Sequence, residues 1–267
     1  MQVLPFLPKQ LCALQKPPKK LFYIGKLELL NGFKIAVVGT RKPNQYTRNL
    51  TSMLVSKISK YATIISGGAI GIDSIAHINS YPRTIMVSPS SLDIIYPKEN
   101  EKLIKNIQSN SLIISEYENS YMPHRYSFLE RNRIVIALSD IVILPQGDIN
   151  SGTSSSARFA LELNKPIFTL PQRYGESTLT NSLLSQGKAK AIYDIDEFIE
   201  KYLAHLESNL DSINAINGFK TESNDEILEF CKSAPSYEIA FGKFGSRLLE
   251  YEFNGLLVRE NSIIRTK

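Results

Sequence analysis

The chain has 267 residues, 43% hydrophobic and 21% charged, and 31 Lys+Arg against 26 Asp+Glu give a formal net charge of +5. This length suits one large domain with a small one beside it, and the composition is that of a soluble globular protein, which excludes disordered and fibrous classes. Two distant cysteines, Cys12 and Cys231, exclude a disulfide framework and a CxxC metal site and suit a reducing cytoplasm, and no run reaches the ~20 apolar residues of a membrane span.

The first twenty residues, "MQVLPFLPKQLCALQKPPKK", are interrupted by Pro5 and Pro8 and carry no charged n-region, so no signal peptide is expected. Residues 1–32 read as a non-helical lead-in that packs on the main domain. An alternation then begins. "FKIAVVG" (33–39) has the apolar run of a buried parallel strand, and Leu50, Leu54 and Ile58 mark one face of a following helix. "ATIISGG" and "RTIMVSP" read as strands around the helix "IDSIAHINS", and 97–108 reads as a helix through Leu103, Ile104 and Ile107. "SLIISE" is the next strand. A helix is expected from about Phe128, although "IVIAL" inside it has strand character. "DIVILPQ" (strand), "SSARFALELN" (helix), "KPIFTLPQ" (strand) and the strand-to-helix passage "AIYDIDEFIEKYLAHL" complete the pattern. Strands alternating with helices of this length predict a parallel sheet covered on both faces, with ligands at the carboxyl ends of its strands.

Composition shifts to Ser, Asn, Asp and Gly over 207–222, read as a linker. Beyond it, Ile227, Leu228 and Cys231 mark a helix, and 237–240 a second. A third, "SRLLEYEFNG", is capped by Gly255, and "LLVRENSIIRTK" reads as a hairpin turning at Glu260-Asn261. Three helices and a hairpin predict a small winged-helix domain over 223–267.

The chemistry gathers where strands end. "VVGTR" places Gly39, Thr40 and Arg41 at the exit of the first strand: a tight turn, a hydroxyl and a planar guanidinium suited to phosphate. "SGGAIGID" repeats the theme with Ser66, Gly67, Gly68 and Gly71, whose amides could form an anion nest before a helix, or serve only a tight turn. It is neither GxGxxG nor a P-loop. "NSGTSSSARFA" is a third small-residue loop, in which the amides of Ser151, Gly152 and Thr153 could hold another phosphate. Asp73 and His77, one helical turn apart, could form an acid–base or metal pair, or merely shape the helix start. Three histidines in all, His124 and His205 without a neighbour at ligand spacing, argue against a metal, and no GxSxG elbow supports a nucleophilic serine.

"PHRYSFLERNRIVIALSD" carries Arg125, Arg131 and Arg133 interleaved with Tyr126 and Phe128. Cations beside rings suit a phosphate backbone with unstacked bases. The alternative is that Phe128 is core and the arginines pair with Glu118, Glu130 or Asp140.

Taken in order, "PPKKLFYIG", "GTRKPNQYT", "SGGAIGIDSIAH", "SPSSLDIIYPKEN", "SEY", "FLERNRIVIALSD" and "SGTSSSARFA" resemble the DNA-processing protein A family (DprA, also called Smf) over nearly the whole chain. The resemblance implies an extended Rossmann-like domain over 1–206, a homodimer, and binding of single-stranded DNA without cleavage or cofactor. It also implies loading of the RecA recombinase during natural transformation, with displacement of single-strand binding protein. Carried over, 39–41 and 66–73, the latter including Ala69, would line the DNA pocket. Arg125 would contact phosphate, Phe128 would pack on base or sugar, and Arg131, Asn132 and Arg133 match an RNR signature. Gln146 stands where the family commonly has an acid, Ser156 where Thr is usual and Gln172 where Gly is usual. No SAM-like domain precedes residue 20, which implies a short form of the family. The alternative function is a nucleoside monophosphate phosphoribohydrolase on a related Rossmann variant, with Glu116 and Asp73 as its acids.

Overall fold

The apolar runs of the first two hundred residues pair into a single sheet. The computed structural model describes residues 1–206 and, toward the C-terminus, 226–245, 248, 251, 257–260 and 262–266. The chain divides into two compact units, Met1–Asp211 and Ser212–Lys267.

Within the first unit the strands are β1 (Gln2–Val3), β2 (Phe22–Gly25), β3 (Lys34–Val37), β4 (Thr63–Ser66), β5 (Thr84–Val87), β6 (Leu112–Ser115), β7 (Ile141–Ile143), β8 (Ile167–Thr169) and β9 (Lys190–Ala191). They lie in the order β1-β2-β6-β5-β4-β3-β7-β8-β9. From β6 to β9 every pairing is parallel. The chain therefore runs outward from β3 to β6, returns, and continues on the other side through β7 to β9. A Rossmann-like sheet of this kind has its switch point between β3 and β7, where two loops leave in opposite directions and open a crevice.

Helices α1 (Gln45–Ile58), α2 (Ile72–Ser80), α3 (Glu101–Asn110), α4 (Arg125–Leu138), α5 (Gly152–Glu162), α6 (Thr178–Ser185) and α7 (Ile195–Tyr202) cover both faces. Alternation along β3 shows how. Ile35 and Val37 point into a core shared with α1, α2 and α7, built around Leu54, Ile72 and Phe198. Ala36 and Val38 point into the opposite core, formed with α4, α5, α6 and the lead-in. α4 is apolar on most sides because it is buried there: Ile134 to Leu138 are at most 1% exposed. The strand-like "IVIAL" thus belongs to a helix walled in by protein.

Three features differ from the sequence expectations. The lead-in packs on the domain as expected, but it also supplies β1 and β2, which pair antiparallel with each other, β2 pairing antiparallel with β6 as well. The sheet is therefore mixed, and the antiparallel pair covers an edge that a parallel sheet would leave open. α5 starts at Gly152, three residues earlier than the expected segment, so its small-residue "loop" is the first turn of the helix. α6 has no counterpart among the expected elements. Leu179 and Leu183 bury its inner face, but only eight residues express the period.

In the second unit, helices Glu226–Cys231 and Tyr237–Phe244 and the antiparallel strands Leu257–Glu260 and Ile263–Thr266 surround a core of Ile227, Cys231, Ala240, Leu248, Leu257 and Ile264. The expected linker over 207–222, most of the expected third helix with Gly255, and Asn261 lie outside the described residues. Among the described residues, no helix is long and apolar enough to cross a membrane.

Leu11 sits on the lead-in's short 3-10 helix, is fully buried, and joins the core that includes Val135 of α4. Leu11→Ala is expected to cost about 2–5 kcal/mol in urea unfolding, as for a central core leucine. A loss below ~1 kcal/mol would show the lead-in to be an appendage.

Candidate functional site

The loop leaving β3 is held flat across the sheet edge by the loop leaving β7. Thr40 N–H donates to the Gln146 carbonyl (2.9 Å), and Asn44 N–H donates to Gln146 Oε1 (3.0 Å). Asn44 Oδ1 in turn caps α1 by accepting from Thr47 N–H (2.8 Å), which satisfies one of the first-turn amides. Gln172 Nε2 donates to Thr47 Oγ1 and to the Pro145 carbonyl (2.9 and 3.0 Å). The two glutamines thus form one network, through Asn44, that fixes the Gly39–Thr40–Arg41 turn.

The loop leaving β4 turns out differently from its sequence expectation. Ser66 is buried and its hydroxyl donates to the Val37 carbonyl (2.6 Å). A Cβ on Gly67 would lie 1.9 Å from Arg131 Nη1, and one on Gly71 2.5 Å from the Thr40 carbonyl oxygen. Gly71 also has φ +87°, a conformation glycine adopts without penalty. Gly68 packs on Met86. The close approach these glycines permit is therefore to the protein's own guanidinium and backbone. The nest at the start of α2 is filled from within, since Ala69 N–H donates to Asp73 Oδ2 (3.3 Å). Ala69 and Asp73 still form part of the cleft wall.

α4 distributes the RNR segment by its helical period. Arg125, Phe128 and Asn132, spaced three and four, turn one face to the cleft. Arg125 is exposed at the first turn. Phe128 is half-buried, with the Arg41 guanidinium carbon 5.2 Å from its ring centroid and Tyr96 edge-on at 5.6 Å. Arg131 is 3% exposed in the cleft wall and donates from Nη1 to the Val87 carbonyl (2.7 Å). Burial lowers its pKa to about 10, opposed by the charge of Asp73. It therefore remains a cation at neutral pH. The Asp73 carboxyl is raised by burial, against the pull of Arg131 and of the Ala69 and Gly39 amides. Asn132 Nδ2 donates to Ser156 Oγ (3.0 Å), tying α4 to α5.

Besides Ser66, Gly67, Gly68 and Gly71 of the β4 loop, two further expected residues are not among those lining the cleft. Arg133 is rotated about 100° from Asn132 and pairs with Glu116. His77 is fully buried, with Nδ1 2.7 Å from Thr84 Oγ1 at the start of β5, the opposite end of the strands. Burial lowers its pKa to about 3, so it is a neutral core histidine and forms no acid–base pair with Asp73.

The third wall is the start of α5. Gly152 and Thr153 line the cleft, and no side chain caps this helix, because Ser151 Oγ donates instead to the Asp148 carbonyl (2.5 Å). Uncapped first-turn amides carry the positive end of the helix dipole. The Asp148 carboxylate accepts from Thr178 N–H (3.0 Å) at the start of α6. The cleft is half open to solvent and holds about 540 Å³. Lys42, Gln146 and Asp148 join the expected residues in its wall, among them Thr153. Of these, Lys42 was legible as the second cation of "GTRK".

Arg41, Lys42, Arg125, Arg131 and an uncapped helix start wall the switch-point cleft of this Rossmann-like sheet, so the chain is an α/β protein with a cation-lined cleft. Over residues 5–203 the sequence matches the family described as DNA recombination-mediator protein A, and the chain belongs to that family. A solved structure concerning the single-stranded DNA binding mode of DNA processing protein A from Helicobacter pylori is 50% identical, with TM-score 0.74, covering 76% of this chain and 95% of that one. Protein Smf of Synechocystis sp. is 35% identical over 175 residues, 62% of this chain and 44% of that protein. DNA processing protein DprA of Bacillus subtilis is 34% identical over 203 residues, 73% of this chain and 67% of that protein. The match thus spans less than half of the Synechocystis protein and two thirds of the Bacillus one.

Gly67 and Gly152 make a matched test of which glycines serve packing. Gly67→Ala must displace Arg131 and is expected to cost on the order of 1–3 kcal/mol. Gly152→Ala meets nothing within 4 Å and should stay within ~0.5 kcal/mol. Thermal or urea unfolding of the two variants checks the difference.

Proposed function

We propose that this protein holds single-stranded DNA without sequence preference, with the strand's phosphates on Arg41, Lys42, Arg125 and the first-turn amides of α5. One observation carries this reading: the Arg41 guanidinium lies over the Phe128 ring at the mouth of the cleft, so a phosphate contact and a stacking surface sit side by side. A ring of this kind serves bases that are free to unstack, which favours single strands over duplex. The polar side chains in the wall favour sequence independence. Asn132 engages Ser156 and Gln146 engages Asn44, whereas sequence readout needs donors and acceptors aimed at base edges. The single-stranded DNA binding mode of the Helicobacter relative supports the same assignment.

Family membership extends the proposal to the protein's role. It would protect incoming DNA and load the RecA recombinase onto it in natural transformation, as a cytoplasmic homodimer that displaces single-strand binding protein. We assign it no catalytic step. Asp73 is held by backbone amides, His77 lies in the core, and Glu116 is paired with Arg133. The C-terminal unit is proposed as a winged-helix domain over 223–267 that contacts protein ahead of duplex DNA, since Glu226, Glu229, Glu238, Glu250, Glu252 and Glu260 make it acid-rich.

Arg41→Ala and Arg125→Ala are each expected to weaken single-strand binding roughly tenfold, about 1.4 kcal/mol, alike across sequences. The slope of log affinity against log salt should become shallower by ~0.7 for each phosphate that is no longer neutralised. Fluorescence anisotropy with oligonucleotides of varied sequence, and a duplex control, measures both. Equal affinity for duplex and single strand would overturn the reading. Release of adenine from AMP would replace it with the hydrolase.

A further inference from the structure

The pair formed by Arg41 and Phe128 has a concave surface on each side. One is the cleft. The other is a smaller recess of about 100 Å³, half open to solvent, which shares Arg41, Ala69 and Phe128 with the cleft and is completed by Ile70, Tyr96 and Pro97. The shared residues therefore form a ridge between two spaces. Sites that take a whole small molecule hold ~300–1,000 Å³. The recess suits one part of a ligand whose remainder lies across the ridge.

Its chemistry is unlike that of the cleft. An isoleucine, a proline and two rings line it, and its one acid, Glu99, repels phosphate. An anion is thus directed to Arg41 on the ridge, and a flat apolar group to the recess. The apolar groups are not consumed by the core, since Ile70 is 39% and Tyr96 37% exposed. In the loop leaving β4 the glycines serve packing, whereas Ile70 keeps a large side chain outward. The walls are also held in place. Asn100 Nδ2 donates to the Gly68 carbonyl (2.9 Å) and to Ser74 Oγ (2.8 Å), which ties the segment carrying Tyr96 and Pro97 to the loop carrying Ile70. Tyr96 is in turn edge-on to Phe128 at 5.6 Å. A recess held in this way costs little ordering when a ligand enters.

We propose that the strand crosses this ridge, with one phosphate on Arg41, one neighbouring base on the cleft side of Phe128 and the other base in the recess against Tyr96 and Ile70. The inference rests on the reading of the cleft as the DNA site. It adds a second base subsite, and with it a conformation: the two nucleotides flanking the Arg41 phosphate are unstacked from each other. A duplex reaches that conformation only by unpairing, and rings accept any base, so the recess sharpens the preference for single strands without reading sequence.

The test uses the full chain, two variants and two labelled oligonucleotides of equal length, one with bases and one built of abasic residues that keep the phosphates. Tyr96→Ala removes the ring, and Ile70→Trp fills the recess without touching Phe128. Both side chains are partly exposed, so both variants should keep the melting temperature of the parent. Each is expected to bind the base-bearing strand roughly tenfold more weakly, the scale of one base–ring stack, with an unchanged salt slope. Their affinity for the abasic strand should equal that of the parent, whereas Arg41→Ala weakens both strands. Parent-like binding of the base-bearing strand by either folded variant overturns the inference, and the DNA reading stands if Arg41→Ala still weakens it. An equal loss on both strands, or a shallower salt slope, also overturns it, because the variants would then act through the phosphate contacts. If the parent binds neither strand, the DNA reading itself falls.

Discussion

The cleft depends on one buried cation. Arg131 leaves the middle of α4, passes over Gly67 with no room for a side chain there, and ends on the Val87 carbonyl of β5. Three elements are thereby fixed at once: the helix that carries Arg125 and Phe128, the loop that leaves β4, and the strand beside it. A guanidinium in this position is costly unless it is satisfied, and the neighbouring Asp73 charge and the carbonyl offset part of that cost. Glycine at 67 follows from the cation, and the geometry of the cleft wall follows from the glycine.

Around this anchor the polar groups divide into two sets. One set serves the protein itself: Gln146 and Gln172 hold the Gly39–Arg41 turn, Asn132 joins α4 to α5, and Asp148 starts α6. The other set faces the cleft without an acidic salt-bridge partner among the described residues: Arg41, Lys42, Arg125 and the first amides of α5. Positioning groups are locked and ligand-facing groups are left open, which is the division a preorganised anion site requires. Arg41 bridges the two sets, since it rests on Phe128 yet presents its charge outward.

Much of this was legible in the residues. The strand–helix alternation gave the Rossmann-like class, and the three small-residue loops with the basic–aromatic stretch 125–133 pointed to the carboxyl ends of the strands, where the cleft lies. What escaped did so for physical reasons. β2 is four residues long and pairs across ninety positions of sequence, so "FYIG" carries no local mark of an antiparallel partner. α6 is started by Asp148 from another loop rather than by its own cap. The glycines of "SGGAIGID" announce close approach but not its object, and only packing reveals Arg131 and the Thr40 backbone as that object. Within "RNR" the period of the helix separates the cleft-facing Asn132 from Arg133, a distinction that needs the orientation of α4.

The claim that the switch-point cleft holds the strand is tested most directly by photo-crosslinking a bromodeoxyuridine-substituted single-stranded oligonucleotide to the intact protein and mapping the adducts by mass spectrometry. Adducts are expected on the peptides carrying 39–42, 125–128 and 151–153, with Phe128 foremost. Crosslinks confined to 226–266, or to peptides on the opposite end of the strands such as those around Thr84 and Lys34, would contradict the account.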